Sequence, residues 1–279
     1  MGGELCRAWS DEVDRWLADL VGAAVQHRPP TGLAVVACGG YGRRELSLQS
    51  DIDVVLLHSG GHDDIGAVAD RIWYPIWDEG LKLGHSVRSV KEALALAADD
   101  LDTATSLLDA RHLAGDRSLT DQLADKATLQ WRKRAKRWLA AMAQRVRDRQ
   151  AQAGEVAFLL EPDLKEGRGG LRDVQALRWA QAARTILWDT DGASLDAAYE
   201  RLLAVRVELH RRTGRPGDRL LLQEQDAVAD SLGYEDADAL LRAVAHAART
   251  IAWTSDDSWA RIESSLAGPL GRLRRERPL

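Results

Sequence analysis

The sequence predicts an α/β core, in which strands and helices alternate, followed by an α-helical domain. Three compact segments in the first third of the chain, residues 33–37, 52–57 and 81–90, are predicted to be strands. The first two are short apolar runs, and the third is more polar and alternating. Between the second and third of them, residues 64–79 carry apolar side chains at helical spacing. From about residue 118 strand signals disappear, and long segments rich in alanine, leucine and arginine predict helices.

These patterns divide the chain into three parts. Residues 1–32 are expected to form an N-terminal helical segment, residues 33–117 the α/β core, and residues 118–279 the α-helical domain. Within the core, one helix is predicted from about residue 90 to residue 116. Within the helical domain, residues 161–173 are too polar and too glycine-rich for a packed helix, and we expect them to form a loop.

The bulk composition sets broad limits on function. With 279 residues, 45% hydrophobic and 29% charged, the chain has the composition of a soluble globular protein, and no run approaches the roughly 20 apolar residues needed to cross a membrane. The first residues do not resemble a secretory signal, and two cysteines are too few for a disulfide framework, so we expect a cytoplasmic protein with no membrane partner. A net charge of −5 makes nucleic acid an improbable partner.

Two neighbouring motifs carry the predicted chemistry. Gly39 and Gly40 follow the first predicted strand, where glycines let backbone N–H groups approach a phosphate, and Arg43 adds positive charge. Asp51 and Asp53 lie two residues apart at the start of the next strand, so both carboxylates project from one face and are able to hold hard cations.

Nucleotidyl and phosphoryl transfer require this combination of groups. Metal ions neutralise the triphosphate and activate the attacking hydroxyl, and backbone and side-chain donors orient the phosphates. The sequence therefore predicts an enzyme that uses a nucleoside triphosphate and two Mg²⁺ ions, with Asp51 and Asp53 as both metal ligands and catalytic residues.

Four blocks in the same order resemble the protein-PII uridylyltransferase family of the DNA polymerase β-like superfamily. They are GGYGR with EL (39–46) and SDID (50–53), GLKLGHSVR (80–88), TATSLLDAR (103–111), and LEPDLKEG with GGLRD (160–173). The resemblance extends over about residues 33–260 and implies a polymerase β-like core with a mixed sheet. It also implies transfer of UMP, or of AMP as in actinobacterial relatives, from UTP or ATP to a tyrosine of the PII nitrogen-regulatory protein, with release of pyrophosphate.

The resemblance also supports a nucleotide site and exposes a gap in the metal site. Gly39, Gly40, Arg43 and Ser50 belong to the nucleotide-binding block. Superfamily members usually bring a third carboxylate from a later strand, but residues 82–88 contain no acid. His85 takes that position, either as a catalytic residue that binds the hydroxyl or a metal, or as a histidine bonded within the sheet.

The glycine-rich block offers further candidates. Lys165, Arg168 and Arg172 are predicted to contact the triphosphate, the alternative being a polar interdomain turn. Arg88 either faces the nucleotide or forms a structural salt bridge. If the block folds over the cleft, one of its acids supplies the missing metal ligand; the candidates are Asp163, Glu166 and Asp173.

The chain also departs from the family pattern. Family members continue with a phosphohydrolase domain that carries an HD metal motif and then with paired ACT domains, and neither is recognised in this sequence. His62-Asp63, the only His-Asp pair, is interpreted as a loop. Removal of the nucleotide and glutamine sensing are therefore not predicted. Two other functions remain open, a polymerase β-like transferase with another acceptor and a non-catalytic regulatory module.

Overall fold

A computed structural model of the protein describes residues 2–25, 31–60, 64–183 and 189–275. The chain forms two compact units, one of Gly3–Trp131 and the other of Arg132–Leu279 with the first two residues. The predicted order of an α/β core followed by a helical region is confirmed, whereas the pair His62-Asp63 lies outside the described residues. None of the described helices combines the length and the apolar character that a membrane span requires.

A four-stranded mixed sheet lies at the centre of the first unit. Its strands are β1 (Leu33–Ala37), β2 (Ile52–His58), β3 (Leu83–Ser89) and β4 (Arg111–Gly115), in the order β3-β2-β1-β4. β2 and β3 are parallel, and β1 is antiparallel to both of its neighbours, β2 and β4. The mixed sheet agrees with the predicted core, and β1, β2 and β3 lie within or close to the three segments predicted to be strands.

Helices cover both faces of this sheet. They are α1 (Gly2–Ala24), α2 (Gly39–Gly42), α3 (Ile65–Asp78), α4 (Val90–Ala97), α5 (Leu101–Leu108) and α6 (Arg117–Lys133). The main core of the unit joins α1 and α3 to one face of the sheet, through buried side chains such as Leu17, Val35, Val54 and Ile72. The opposite face, to which Asp53 and Val55 belong by alternation, turns toward α4 and α5.

The single helix predicted for residues 90–116 is wrong. A capping box between Ser89 and Glu92 starts α4, and the carboxylate of Asp100 accepts from the Thr103 amide at 2.7 Å to start a separate helix, α5. The remainder of the segment is β4, which pairs with β1. Strand character therefore arises there from pairing with a distant segment and not from local sequence.

The second unit is helical throughout its described part apart from turns and isolated bridges. Its helices are α7 (Ala135–Ala153), α8 (Leu171–Ala182), α9 (Asp189–Thr213), α10 (Leu222–Leu232) and α11 (Ala237–Arg275). The glycine-rich block precedes α8, and Gly170 is the N-cap of that helix. Arg172 and Asp173, which we expected in the loop, instead lie in the first turn of α8.

Candidate active site

The glycine turn that follows β1 is a single turn of helix, α2. Gly39 adopts a φ of 55°, in the left-handed region that glycine favours, and Cys38 is the N-cap residue. The first amides of a helix have no partner within the helix, so Gly39 and Gly40 present backbone N–H groups at the end of β1. Such groups suit an anionic ligand.

Asp53 lies between this turn and β3. A Cβ atom built on Gly39 would be 3.5 Å from Oδ2 of Asp53, and one built on Gly84 would be 2.2 Å from Oδ1. Gly84 is the residue of β3 in register with Asp53. Because neither glycine has a side chain, the carboxylate occupies a space that these two positions leave open.

Asp51 stands at the entrance to β2. It is exposed and immediately precedes the first strand residue, Ile52, which is buried. Alternation along the chain predicts that Asp51 and Asp53 project to the same side, although Asp51 itself precedes β2. Ser50 belongs to the turn before them, where its amide donates to the Ser47 carbonyl at 2.9 Å.

A cavity of about 340 Å³ opens on the same face of the sheet as Asp53. Polar residues of β2, β3 and α5 line it, namely Asp53, Ser86, Arg88, Asp102, Thr103 and Ser106. Arg88 shares a strand face with Gly84 and Ser86, so the predicted nucleotide contact by Arg88 agrees with its position. The volume falls within the usual range for small-molecule sites.

Sequence reasoning did not single out the α5 residues of this wall. Ser106 lies close to the glycine turn, because a Cβ on Gly39 would be 3.8 Å from its Oγ. Asp102 and Thr103 precede Ser106 by four and three residues, and this spacing places both of them beside Ser106 on one face of the helix. The spacing is present in the sequence, and the single helix predicted for residues 90–116 would also place these residues on one face. The cavity that they border depends on contacts between distant segments.

The predicted position of His85 at the metal site is corrected by the structure, because its ring packs away from Asp53. Its ring lies 5.5 Å from the ring of Trp73 and 5.3 Å from that of Trp77, measured between centroids, and both tryptophans belong to α3. His85 pairs in register with Val54, which packs in the core on the α3 face. His85 borders the cavity only through its place in β3, since its side chain turns to the opposite face of the sheet.

Arg43, which we predicted to orient the phosphates, contacts two acids beside the glycine turn. Its guanidinium donates to Glu45 at 2.8 Å and to Asp109 at 2.5 Å, and only 15% of its side chain is exposed. It therefore ties the glycine turn to Asp109 at the end of α5. Asp109 is 66 residues away in sequence, so no local pattern predicted the pair.

A second set of contacts holds the glycine turn to α1. The Tyr41 hydroxyl donates to Asp14 at 2.6 Å, and Arg111 donates to both carboxylate oxygens of Asp14. Arg111 also donates to the carbonyls of Tyr41 and Gly42, at 3.1 and 3.2 Å. Burial and the hydrogen bond to Asp14 raise the pKa of Tyr41, which remains a neutral donor. We call Tyr41, Asp14 and Arg111 the α1 clasp.

The cations of the glycine-rich block have carboxylate partners in their own unit. Arg168 contacts Glu155 at 2.7 Å and Asp256 at 2.5 Å. The remaining two pairs are Lys165 with Asp218 and Arg172 with Glu166, each at 3.5 Å. The predicted contact of these cations with a triphosphate would require them to exchange these partners.

The acids of the block are also engaged. Asp173 is fully buried and accepts from Arg149, from Gln150 and, at 2.7 Å, from the Gly169 amide. Burial raises the pKa of Asp173, and the contact with Arg149 opposes that effect. Asp163 accepts from two backbone amides of its own turn, at 3.0 and 2.8 Å. Among the described residues, no three His, Cys, Asp or Glu side chains group together as a metal site.

One partly buried acid, Asp218, anchors the block to the segment after α9. Asp218 accepts from Arg206 at 2.6 Å and lies 3.1 Å from His210, while its backbone carbonyl accepts from the Leu164 amide at 2.9 Å. Burial alone would raise the pKa of Asp218, but His210, Arg206 and Lys165 hold it well below its usual range. We call Asp218, Arg206, His210 and Lys165 the Asp218 cluster.

Comparison with known proteins bears on both units. The family model described as GlnD PII-uridylyltransferase matches residues 137–258. The chain is 50% identical to the bifunctional uridylyltransferase/uridylyl-removing enzyme of Streptomyces coelicolor over 257 residues, which are 92% of this chain and 30% of that protein. It is 44% identical to the protein of the same name from Mycobacterium tuberculosis over 262 residues, or 90% of this chain and 32% of that protein.

A more distant relative extends this pattern. The bifunctional uridylyltransferase/uridylyl-removing enzyme of Nitrosococcus oceani is 38% identical over 241 residues, which cover 79% of this chain and 27% of the relative. The chain thus spans about a third of the length of the curated relatives that it matches. By its family-model match and these identities, the chain belongs to the protein-PII uridylyltransferase family.

Proposed function

We propose that this chain transfers UMP or AMP from UTP or ATP to a tyrosine of a PII nitrogen-regulatory protein and releases pyrophosphate. One observation carries the proposal: the Asp53 carboxylate faces a cavity of about 340 Å³ between the glycine turn and a glycine of the neighbouring strand. The names of the relatives, which contain the activity uridylyltransferase, support the reaction class.

The donor set around Asp53 fits magnesium. Mg²⁺ prefers oxygen ligands and is commonly bound by one or two carboxylates, with the substrate phosphates and water completing its shell. Asp51 and Asp53 would hold the proposed two ions, which would offset the triphosphate charge and polarise the α-phosphate. Gly84 makes room for the Asp53 carboxylate, because any Cβ there would collide with it.

The other predicted site residues of the first unit bind and orient the substrate. The amides of Gly39 and Gly40 donate to phosphate oxygens, and the turn containing Ser50 positions the two carboxylates beside them. Arg88 contributes a cation to the cavity wall. Arg43 acts indirectly, since its pairing with Asp109 fixes the shape of the glycine turn.

The reaction is an in-line displacement at the α-phosphorus. The acceptor tyrosine loses its phenolic proton to solvent, its oxygen forms a bond to the α-phosphorus, and the bond to the bridging oxygen of the β-phosphate breaks. Pyrophosphate leaves with that bridging oxygen. His85 takes no part in this scheme, because its ring packs against α3.

The test is transfer of label to a PII protein. We expect label from α-³²P UTP or ATP to appear on PII when Mg²⁺ is present, and to be lost when the acceptor tyrosine is changed to Phe. Asp53→Asn should lower transfer by about a hundredfold or more, because it removes a charge that acts on the transition state. Asp125→Asn, an exposed acid on α6, is the matched control and should leave transfer unchanged.

Three results would separate this proposal from its rivals. Undiminished transfer by Asp53→Asn would overturn the metal assignment. Pyrophosphate release with another acceptor, but not with PII, would favour a related transferase. Binding of the triphosphate without turnover on any acceptor would favour a regulatory module.

A further inference from the structure

The cavity beside Asp53 has two chemically different ends. Asp53 is in register with Gly84 near the start of β3, whereas Arg88 lies four residues further along the same strand, about 13 Å away. α4 begins directly after β3 and contributes Ala93 and Leu96 to the wall. One end is therefore a carboxylate beside backbone amides, and the other combines the Arg88 side chain with the apolar side chains of Ala93 and Leu96.

α5 spans the distance between these ends. Ser106 lies at the carboxylate end, as its proximity to Gly39 shows. Asp102 precedes Ser106 by four residues, which is about 6 Å along the helix axis, and Thr103 lies one turn before Ser106. Both residues border the cavity on the side of α4, because the short connection from α4 leads into this first turn of α5.

The order of these groups matches the order of the parts of a nucleotide. A triphosphate suits the glycine amides and the Mg²⁺ ligands, a ribose needs a hydrogen-bond acceptor next to it, and a base suits an apolar wall beyond. Asp102 offers a carboxylate at the middle position, and carboxylates recognise ribose hydroxyls in other nucleotide sites. The apolar surface of Val55, Ala93 and Leu96 follows it.

We propose that the α4 end of the cavity holds the nucleoside and that Asp102 accepts a hydrogen bond from a ribose hydroxyl, so that Asp102 selects ribonucleotides over deoxyribonucleotides. This inference rests on the proposed function, since it takes the triphosphate to lie at Asp53. Within the described part of the chain, no three His, Cys, Asp or Glu side chains group together as a metal site, and this includes Asp102.

The test measures binding and needs no acceptor protein. Dissociation constants for UTP, ATP, 2′-deoxy-UTP, 2′-deoxy-ATP and their 3′-deoxy forms are determined by calorimetry on the full chain with Mg²⁺. Asp102→Asn and Asp102→Ala should weaken the binding of the ribonucleotides about tenfold or more, as expected for loss of a charged acceptor. Binding of the deoxy form that lacks the recognised hydroxyl should change little.

Asp125→Asn is the matched control and should retain the selectivity of the unmodified protein. The melting temperature of each variant should also equal that of the unmodified protein. Selectivity that stays the same in Asp102→Asn would overturn the proposal. So would tighter binding of ribo and deoxy forms alike, because that result means that Asp102 repels a phosphate. A loss of selectivity supports the ribose assignment whether or not PII is labelled, so a failure of the PII reaction is distinguished from a failure here.

Discussion

The carboxylate of Asp53 occupies the volume that a side chain at Gly84 would need, since a Cβ at Gly84 would lie 2.2 Å from Oδ1. β3 carries no third acid, and this contact shows that a longer side chain at Gly84 would collide with Asp53. The strand brings a small residue beside Asp53, and the space that a side chain would fill belongs to the carboxylate.

Gly84→Ala is therefore expected to displace Asp53 and to lower nucleotidyl transfer by about a hundredfold, because a shift of about 1 Å in a catalytic group has effects of that size. Transfer of label from UTP or ATP to PII measures the change. Gly66→Ala is the control: it lies in α3 with open space around it, and alanine should maintain or slightly increase stability there. Equal activity of both variants would contradict the importance of this contact.

His85→Gln should leave transfer close to that of the unmodified protein. The ring of His85 contacts Trp73 and Trp77 on the α3 face, so its loss should cost about 1 kcal/mol of unfolding free energy. Denaturant unfolding and the transfer assay together test this expectation. A large fall in turnover without loss of stability would restore the catalytic role that the sequence predicted for His85.

Arg43→Ala should destabilise the first unit by about 3 kcal/mol, because it removes the cation that contacts two mostly buried acids, Asp109 and Glu45. The double variant Arg43→Ala, Asp109→Ala should recover part of that loss, and a double-mutant cycle measures the coupling. Strict additivity of the two changes would show that the pair does not stabilise the turn.

The limits of sequence reasoning are visible in these residues. β1 and β2 have local apolar patterns and β3 has an alternating one, so all three were predictable, and the glycine turn and the two aspartates were located by their spacing. Strict alternation along β3 also places Gly84, Ser86 and Arg88 on one face and His85 on the other, but the face that receives Asp53 depends on the register with β2. β4 and the Arg43 pair depend on contacts between distant segments, which no local pattern contains.

Asp218 should make stability sensitive to acid. Burial would raise its pKa, but the other members of the Asp218 cluster hold it well below the value of about 3.9 in an unfolded chain. A carboxyl with a lowered folded pKa adds stability that is fully present above the unfolded value and is lost as the pH falls toward the folded value. The stability of the unmodified protein should therefore fall more steeply below about pH 4 than that of Asp218→Asn.

Denaturant unfolding of both proteins between pH 7 and pH 2 checks this. At pH 7, Asp218→Asn should be less stable by about 3 kcal/mol, since it removes one member of a buried ionic cluster. The difference between the two proteins should narrow toward pH 2. A constant difference across the range would show that another group causes the acid sensitivity.

The α1 clasp has a practical consequence for anyone who wishes to shorten this protein. Asp14 belongs to α1, yet it accepts from the Tyr41 hydroxyl in the glycine turn and from the Arg111 guanidinium of β4. A fragment cut to begin at β1 would retain every predicted phosphate and metal ligand of the first unit. It would remove the Asp14 carboxylate, to which the buried Tyr41 hydroxyl and the partly buried Arg111 guanidinium both donate. Any shortened form of this unit should therefore begin upstream of Asp14.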